Sequence, residues 1–302
     1  MIKLPSGIDI NNLIDDLKVL SWKASDTLLY YSNLLRNSNY ESRILKNENS
    51  DDPVTIADLE VNNIIIQGLR NKYKNVNWEI LSEENAKLFD ENPKSKSDWV
   101  WILDPLDGTK DFIQGTCNYA MHLALNYKNR PLIGIVLIPE KSELWIAIGD
   151  EVWCENRNRS KFKTDLQKNK TLKEMVLVTS KNHRNETLKK LIQIINFKEI
   201  KVMGSIGCKI TSIIRGETDI YICLSIPGKS SPKDWDFAAP EAVLKASGGA
   251  LTNLNNQELS YGKPNYEQGG IIIASNNVET HSKLCSEIKE IIRRYDIYPL
   301  VP

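Results

Sequence analysis

The segment Trp101-Ile-Leu-Asp104-Pro-Leu-Asp107-Gly-Thr109-Lys-Asp111-Phe112 places three carboxylates within eight residues, at the end of an apolar run that reads as a strand. Proline fixes φ, so the Pro105-Leu106 step between Asp104 and Asp107 reads as a stiff turn that aims both carboxylates. Like charges this close repel, and burying them unpaired is costly. A divalent cation removes that cost. Mg²⁺ takes hard oxygen ligands, and the Leu106 carbonyl is a further candidate. Gly108 lets the backbone pass close to a ligand. A helical turn opening at Thr109 would aim free N–H groups at a phosphate. The Thr109 hydroxyl could orient a water for attack.

Three other acidic segments belong with this one. Glu83 and Glu84 follow a short strand-like run ending at Leu81-Ser82. Asp58 stands three residues after Thr55, which reads as a capping box at a helix start and also as a site for a catalytic acid. Asp236 sits in Trp235-Asp236-Phe-Ala-Ala-Pro240-Glu241. Proline is poorly tolerated beyond the first turn, so the helix is expected to open near Asp236, with that residue as N-cap or metal ligand. Each segment alone has a plain structural reading: a surface turn, a solvated acidic pair, or a cap.

The elements that must position these acids follow from periodicity. Residues 9–36 have helical spacing, and Ala57, Val61, Ile64, Ile65 and Leu69 draw one stripe on a second helix. Strands are expected at 78–81, 99–103, 119–127, 132–138 and 143–149, with Gly134 and Pro139 as punctuation. The second half alternates: strand 175–179, helix 184–194, strand 199–203, helix 206–215 closed by Gly216, strand 219–224, helix 236–247 closed by Gly248-Gly249, strand 270–274 and helix 277–293. This is a layered α/β (α+β) architecture of two fused halves, 1–160 and 161–302, with a soft boundary near 150–172. The first half carries most of the candidate metal ligands. The second is expected to complete the metal site and the substrate pocket.

Composition narrows the function. The 302 residues carry 39 Lys+Arg and 39 Asp+Glu, so no basic excess exists to neutralise a nucleic acid polymer. A hydrophobic share of 41% supports a sizeable core and excludes disorder as the main state. No apolar run approaches the ~18–20 residues that span a bilayer, and the N-terminus lacks a signal-peptide core, so a cytoplasmic protein without a membrane partner is expected. Five scattered cysteines (Cys117, Cys154, Cys208, Cys223, Cys285) read as reduced thiols, and His122, His183 and His281 do not pair at zinc-ligand spacing.

Four segments in order, Asp52-Pro-Val-Thr-Ile-Ala-Asp58, Leu81-Ser-Glu-Glu84, residues 101–112 and Trp235–Gly249, resemble the inositol monophosphatase superfamily of Mg²⁺-dependent, Li⁺-sensitive phosphatases. Leu-Ser-Glu-Glu, Asp-Gly-Thr-Lys-Asp-Phe, Ser180-Lys-Asn-His183 and Gly204-Ser-Ile-Gly-Cys-Lys209 resemble its 3′(2′),5′-bisphosphate nucleotidase (CysQ) branch. That resemblance implies an αβαβα sandwich and a phosphoric monoester hydrolase. Its substrate would be adenosine 3′,5′-bisphosphate (PAP), with the sulfated form (PAPS) in addition, in the recycling of a by-product of sulfate activation.

By position, the resemblance makes Glu83, Asp104, Asp107, Asp236 and the Leu106 carbonyl the ligands of two or three Mg²⁺ ions, with Asp104 bridging two. Asp58, Thr109 and Glu83 would activate the attacking water. Gly108 and Thr109 would cradle the phosphate, and His183, Gly204, Ser205 and Lys209 would contact the nucleotide. Members of the superfamily are often dimers; the sequence itself shows no interface signal. Two other readings remain: an inositol monophosphatase or fructose-1,6-bisphosphatase-type sugar phosphatase of the same fold, and a non-catalytic phosphometabolite-binding protein.

Overall fold

The computed structural model describes residues 4–36, 45–47, 54–86, 97–157, 161–162, 170–180, 185–226 and 231–299. In chain order the elements are α1 (Ile10–Arg36), β1 (Leu45–Asn47), β2 (Val54–Thr55), α2 (Ile56–Lys72), β3 (Glu79–Ser82), α3 (Glu83–Ala86), β4 (Trp99–Asp107) and α4 (Thr109–Ile113). A meander follows: β5 (Ala120–Tyr127), β6 (Arg130–Ile138), β7 (Glu143–Ile148), β8 (Glu151–Glu155) and β9 (Lys161–Phe162). The remainder is β10 (Val176–Thr179), α5 (Glu186–Ile195), β11 (Glu199–Val202), α6 (Ile206–Ile214), β12 (Ile220–Leu224), α7 (Asp234–Ala246), β13 (Ala250–Asn253), β14 (Ile271–Ser275) and α8 (Val278–Arg294).

Strands β3 to β9 form one seven-stranded sheet in sequence order, parallel only between β3 and β4. A five-stranded sheet runs β11-β10-β12-β14-β13. The alternation of β4 and β5 sorts their side chains. Trp101, Leu103, Met121, Leu123 and Leu125 pack with Leu13, Leu17, Val61 and Ile65 of α1 and α2. Ile102, Ala120 and Ala124 face the other way, into a core shared with Ile210 of α6, Phe237 and Val243 of α7, and Tyr221 and Ala274 of the second sheet. The outer face of that sheet meets Leu188 and Leu191 of α5 and Leu284 and Ile288 of α8. The layers are therefore α1/α2, seven strands, α6/α7, five strands, and α5/α8. This is the αβαβα order expected.

Several local expectations change. In α2 Ile66 is buried, while Ile64 is only partly so. Gly134 does not interrupt a strand. It lies inside β6, where a Cβ would stand 2.5 Å from the Ala242 Cβ and 2.9 Å from the Ala239 carbonyl, so its bare backbone lets α7 lie close on the sheet. Strands β8 and β13 add to the periodicity reading; β8 pairs with β7 and β13 with β14. Helix α7 opens at Asp234, two residues earlier than Pro240 suggests, and keeps Pro240 inside it.

Candidate metal centre and active site

The acids converge because element ends converge. Strands β3 and β4 run parallel, so Glu83 and Asp104 emerge at the same end of the sheet. The Pro105-Leu106 step is not a free turn. Strand β4 continues through it to Asp107, with a shift of register between Asp104, opposite His122, and Asp107, opposite Ala120. An irregularity of this kind re-aims side chains at a strand end. Leu106 N–H donates to Asp104 Oδ1 (3.1 Å), and Thr109 Oγ1 donates to the Leu106 carbonyl (2.9 Å). Gly108 has φ of 88°, and a Cβ there would meet the Asn118 carbonyl at 2.8 Å, so only glycine fits this entry to α4.

Ligand oxygens of Asp104, Asp107 and Asp236 all lie within 4.8 Å of one another. Asp104 and Asp107 are buried and Asp236 is partly so. Burial, reinforced by Glu83, Asp107 and Asp236, holds the Asp104 carboxyl well above the usual carboxylate range. Burial and then Asp107 do the same to Asp236, whose Oδ2 accepts from Lys233 N–H (2.6 Å). Asp236 is thus the third residue of its helix and closes the cap onto Lys233 from within; it is not the N-cap itself. Asp58 closes the expected box, accepting from Thr55 N–H (2.8 Å) and Thr55 Oγ1 (2.6 Å). Its burial, with Glu83 nearby, raises it to about 8 against those Thr55 bonds.

Asp107 joins the two halves of the site. Its Oδ2 accepts from Ser205 Oγ (2.6 Å), Ile206 N–H and Gly207 N–H (3.2 Å), the opening of α6. A carboxylate at a helix N-terminus is favourable. The other oxygen remains for a cation. Hard oxygen donors, buried and mutually repelling, fit a divalent metal ion, and no cysteine or histidine lies among these three.

The nucleotide-contact candidates turn inward. Ser205 is fully buried as the N-cap of α6, accepting from Cys208 N–H (3.1 Å) while donating to Asp107. Lys209 is 1% exposed; its Nζ donates to the Gly204 carbonyl (2.6 Å) and lies 5.4 Å from the Tyr221 ring centroid. Burial lowers its pKa against the pull of Asp107. Ser205 thus bonds Asp107 directly, whereas Lys209 is tied to the Gly204 carbonyl. Gly204 is partly exposed, and a Cβ on it would fall 2.1 Å from Asp111 Oδ2. His183 lies outside the described residues.

Sequence reasoning passed over His122 and Gly207. His122 is fully buried, with Nε2 3.3 Å from Asp107 Oδ2 and Nδ1 3.4 Å from the Trp235 carbonyl. The available signal was a histidine set between Ala120 and Ala124 on one face of a strand, a face whose other polar residue is Asn126.

Set against known proteins, residues 14–293 match the sequence model of the inositol monophosphatase family. The chain belongs to the inositol monophosphatase family. Among characterised relatives it is 32% identical over 209 residues to the 3′(2′),5′-bisphosphate nucleotidase CysQ of Buchnera aphidicola, covering 69% of this chain and 74% of that one. It is 28% identical over 220 residues to the CysQ of Escherichia coli K12, covering 72% and 82%. Among solved structures, an inositol monophosphatase of Thermotoga maritima superposes with a TM-score of 0.70 at 22% identity, covering 94% of this chain and 99% of that one. SuhB of Bartonella henselae gives 0.71 at 20% identity, covering 92% and 99%. Among the described residues no helix is long and apolar enough to cross a membrane.

Proposed function

We propose that the protein is a Mg²⁺-dependent phosphomonoesterase that removes the 3′-phosphate of adenosine 3′,5′-bisphosphate by attack of an activated water. One observation carries the hydrolytic reading: the ligand oxygens of Asp104, Asp107 and Asp236 within 4.8 Å of one another, next to the Gly108–Thr109 turn. The nucleotide substrate follows from kinship with the CysQ proteins.

In this reading Glu83, Asp104, Asp107, Asp236 and the Leu106 carbonyl hold two or three Mg²⁺ ions. Bound there, Mg²⁺ supplies Lewis-acid polarisation of the phosphoryl oxygens and acidifies the attacking water. Thr109 spends its proton on the Leu106 carbonyl, so its oxygen is left as an acceptor that orients the water. Asp58, held by Thr55 and close to Glu83, activates the attacking water together with Thr109 and Glu83. The N–H groups at Gly108 and Thr109 hold the phosphate. Ser205 and Lys209 act beneath the nucleotide by fixing Asp107 and the Gly204 carbonyl, and Gly204 lies against it. The substrate is a small phosphorylated molecule and not a polymer, and the compartment is the cytoplasm.

Side-by-side kcat/KM on PAP and inositol 1-phosphate, with Mg²⁺ and with EDTA, tests the proposal. A preference for PAP of tenfold or more that vanishes with EDTA supports it. A preference for inositol 1-phosphate overturns the substrate. No phosphate release from either overturns the enzyme.

A further inference from the structure

Asp107 can serve as a ligand only if its carboxylate is turned correctly, and its surroundings contain one group that no step of the reaction uses. His122 stands directly across from Asp104 in the β4–β5 register, so the two side chains share a sheet face. Its imidazole fills the space between two ligand-bearing elements. One edge, Nε2, lies 3.3 Å from Asp107 Oδ2, and the other, Nδ1, lies 3.4 Å from the Trp235 carbonyl, the peptide that leads into Asp236. Gly207 makes the space, since a Cβ there would stand 2.3 Å from His122 Nε2. The ring is fully buried and Nε2 has no aligned hydrogen-bond partner. A buried polar atom in that condition is a cost that a leucine of similar volume would avoid, and such atoms in native proteins call for a reason.

We infer that His122 is a positioning residue for the metal centre: its ring, wedged between Asp107 Oδ2 and the Trp235 carbonyl, holds Asp107 against the first turn of α6 so that the other oxygen is left for the cation, and sets the gap between Asp107 and Asp236. Partners behind a ligand commonly govern metal affinity in this way. The inference rests on the reading that Asp107 is a ligand, and its test separates the two. Mn²⁺ is titrated calorimetrically into the metal-free parent, His122→Leu, His122→Gln and His122→Asn, and the Mg²⁺ concentration for half-maximal phosphate release is measured beside it. Glutamine keeps a donor near the Nε2 position; asparagine keeps one only near Nδ1.

The expected result is a Mn²⁺ dissociation constant raised about 10-fold or more in His122→Leu and His122→Asn, with His122→Gln close to the parent. The Mg²⁺ requirement should shift in parallel, and kcat at saturating Mg²⁺ should change far less. Should the leucine variant not fold, the glutamine–asparagine contrast decides alone. Parent-like Mn²⁺ affinity in the leucine or asparagine variant overturns the inference, as does a glutamine variant as weak as the asparagine one. Failure of the parent itself to bind Mn²⁺ instead removes the metal reading beneath it.

Discussion

Replacing Asp104 with asparagine should destroy the enzyme and, without metal, stabilise the fold. The asparagine would keep an Oδ1 for the Leu106 N–H now bonded to Asp104 at 3.1 Å, so local geometry survives. Two full charges 4.8 Å apart, the limit found among the three acids, repel by about 3.5 kcal/mol at an effective dielectric near 20. Asp104 takes part in two of the three pairs, so full ionisation carries about 7 kcal/mol of repulsion through it. Burial and the neighbouring acids raise the Asp104 carboxyl, so the metal-free protein relieves part of this repulsion by holding a proton that the unfolded chain has released. Relaxation and residual hydration reduce the recoverable part to about 1–3 kcal/mol. The sign follows from proton uptake. A carboxyl raised by folding binds a proton that the unfolded chain has lost, so its stability contribution is full below the unfolded pKa and declines as pH rises through the folded one. In EDTA at pH 8 the D104N variant should therefore melt above the parent by roughly 2–6 °C. At pH 5 the gap should narrow. Mg²⁺ should raise the melting temperature of the parent and not that of the variant, and phosphate release should fall beyond the about 100-fold typical of a lost outer-shell partner. Thermal unfolding at both pH values, with and without Mg²⁺, reads all of this. A metal-free variant less stable than the parent at pH 8, or one still stabilised by Mg²⁺ as the parent is, refutes the reasoning.

Other perturbations have defined outcomes. Ser205→Ala removes both the α6 cap and a donor to Asp107; urea unfolding in EDTA should show a loss of about 1–2 kcal/mol, with a raised Mg²⁺ requirement for turnover. Gly134→Ala drives a methyl against Ala242 and the Ala239 carbonyl; this overpacking should cost about 1–3 kcal/mol, read as a lowered melting temperature. His281 is buried between Thr252 Oγ1 (2.8 Å) and Ser275 Oγ (2.7 Å), and burial lowers its pKa to about 4. The unfolded chain takes up the proton first as pH falls from about 6.5, so this residue should remove about 3 kcal/mol of stability by pH 4. His281→Gln should flatten that part of the pH profile in chemical denaturation, and an unchanged slope would contradict the assignment.

The convergence of Asp104, Asp107 and Asp236 was legible in the sequence because carboxylates gathered at strand ends and helix starts have few purely structural uses. Asp58 shows this well: its capping box is written in the spacing from Thr55, and the fold uses that box to hold the acid beside Glu83. The layers were legible for a related reason, since buried stripes such as Val61, Ile65 and Leu69 can only face a core. What stayed hidden depends on partners distant in sequence. The path of β4 through Pro105 is set by its pairing with β5, and the value of Gly134 lies in α7, about a hundred residues on. Helix α7 opens at Asp234 because the side chain of Asp236 reaches back to Lys233, which no cap preference of lysine announces. Ser205 and Lys209 look like surface polar groups in a one-dimensional reading. Packing of α6 between two sheets buries them. Nor does His122 carry any sign of Asp107, fifteen residues earlier, until the sheet register brings Asp104 opposite and the bend turns Asp107 toward the ring.

Crystals soaked in Mn²⁺, with diffraction recorded at the manganese absorption edge, test the central claim most directly. The account predicts anomalous peaks at about 2.0–2.4 Å from carboxylate oxygens of Asp104, Asp107 and Asp236. Peaks confined to other parts of the molecule, or none at these acids while PAP is still hydrolysed, would contradict it.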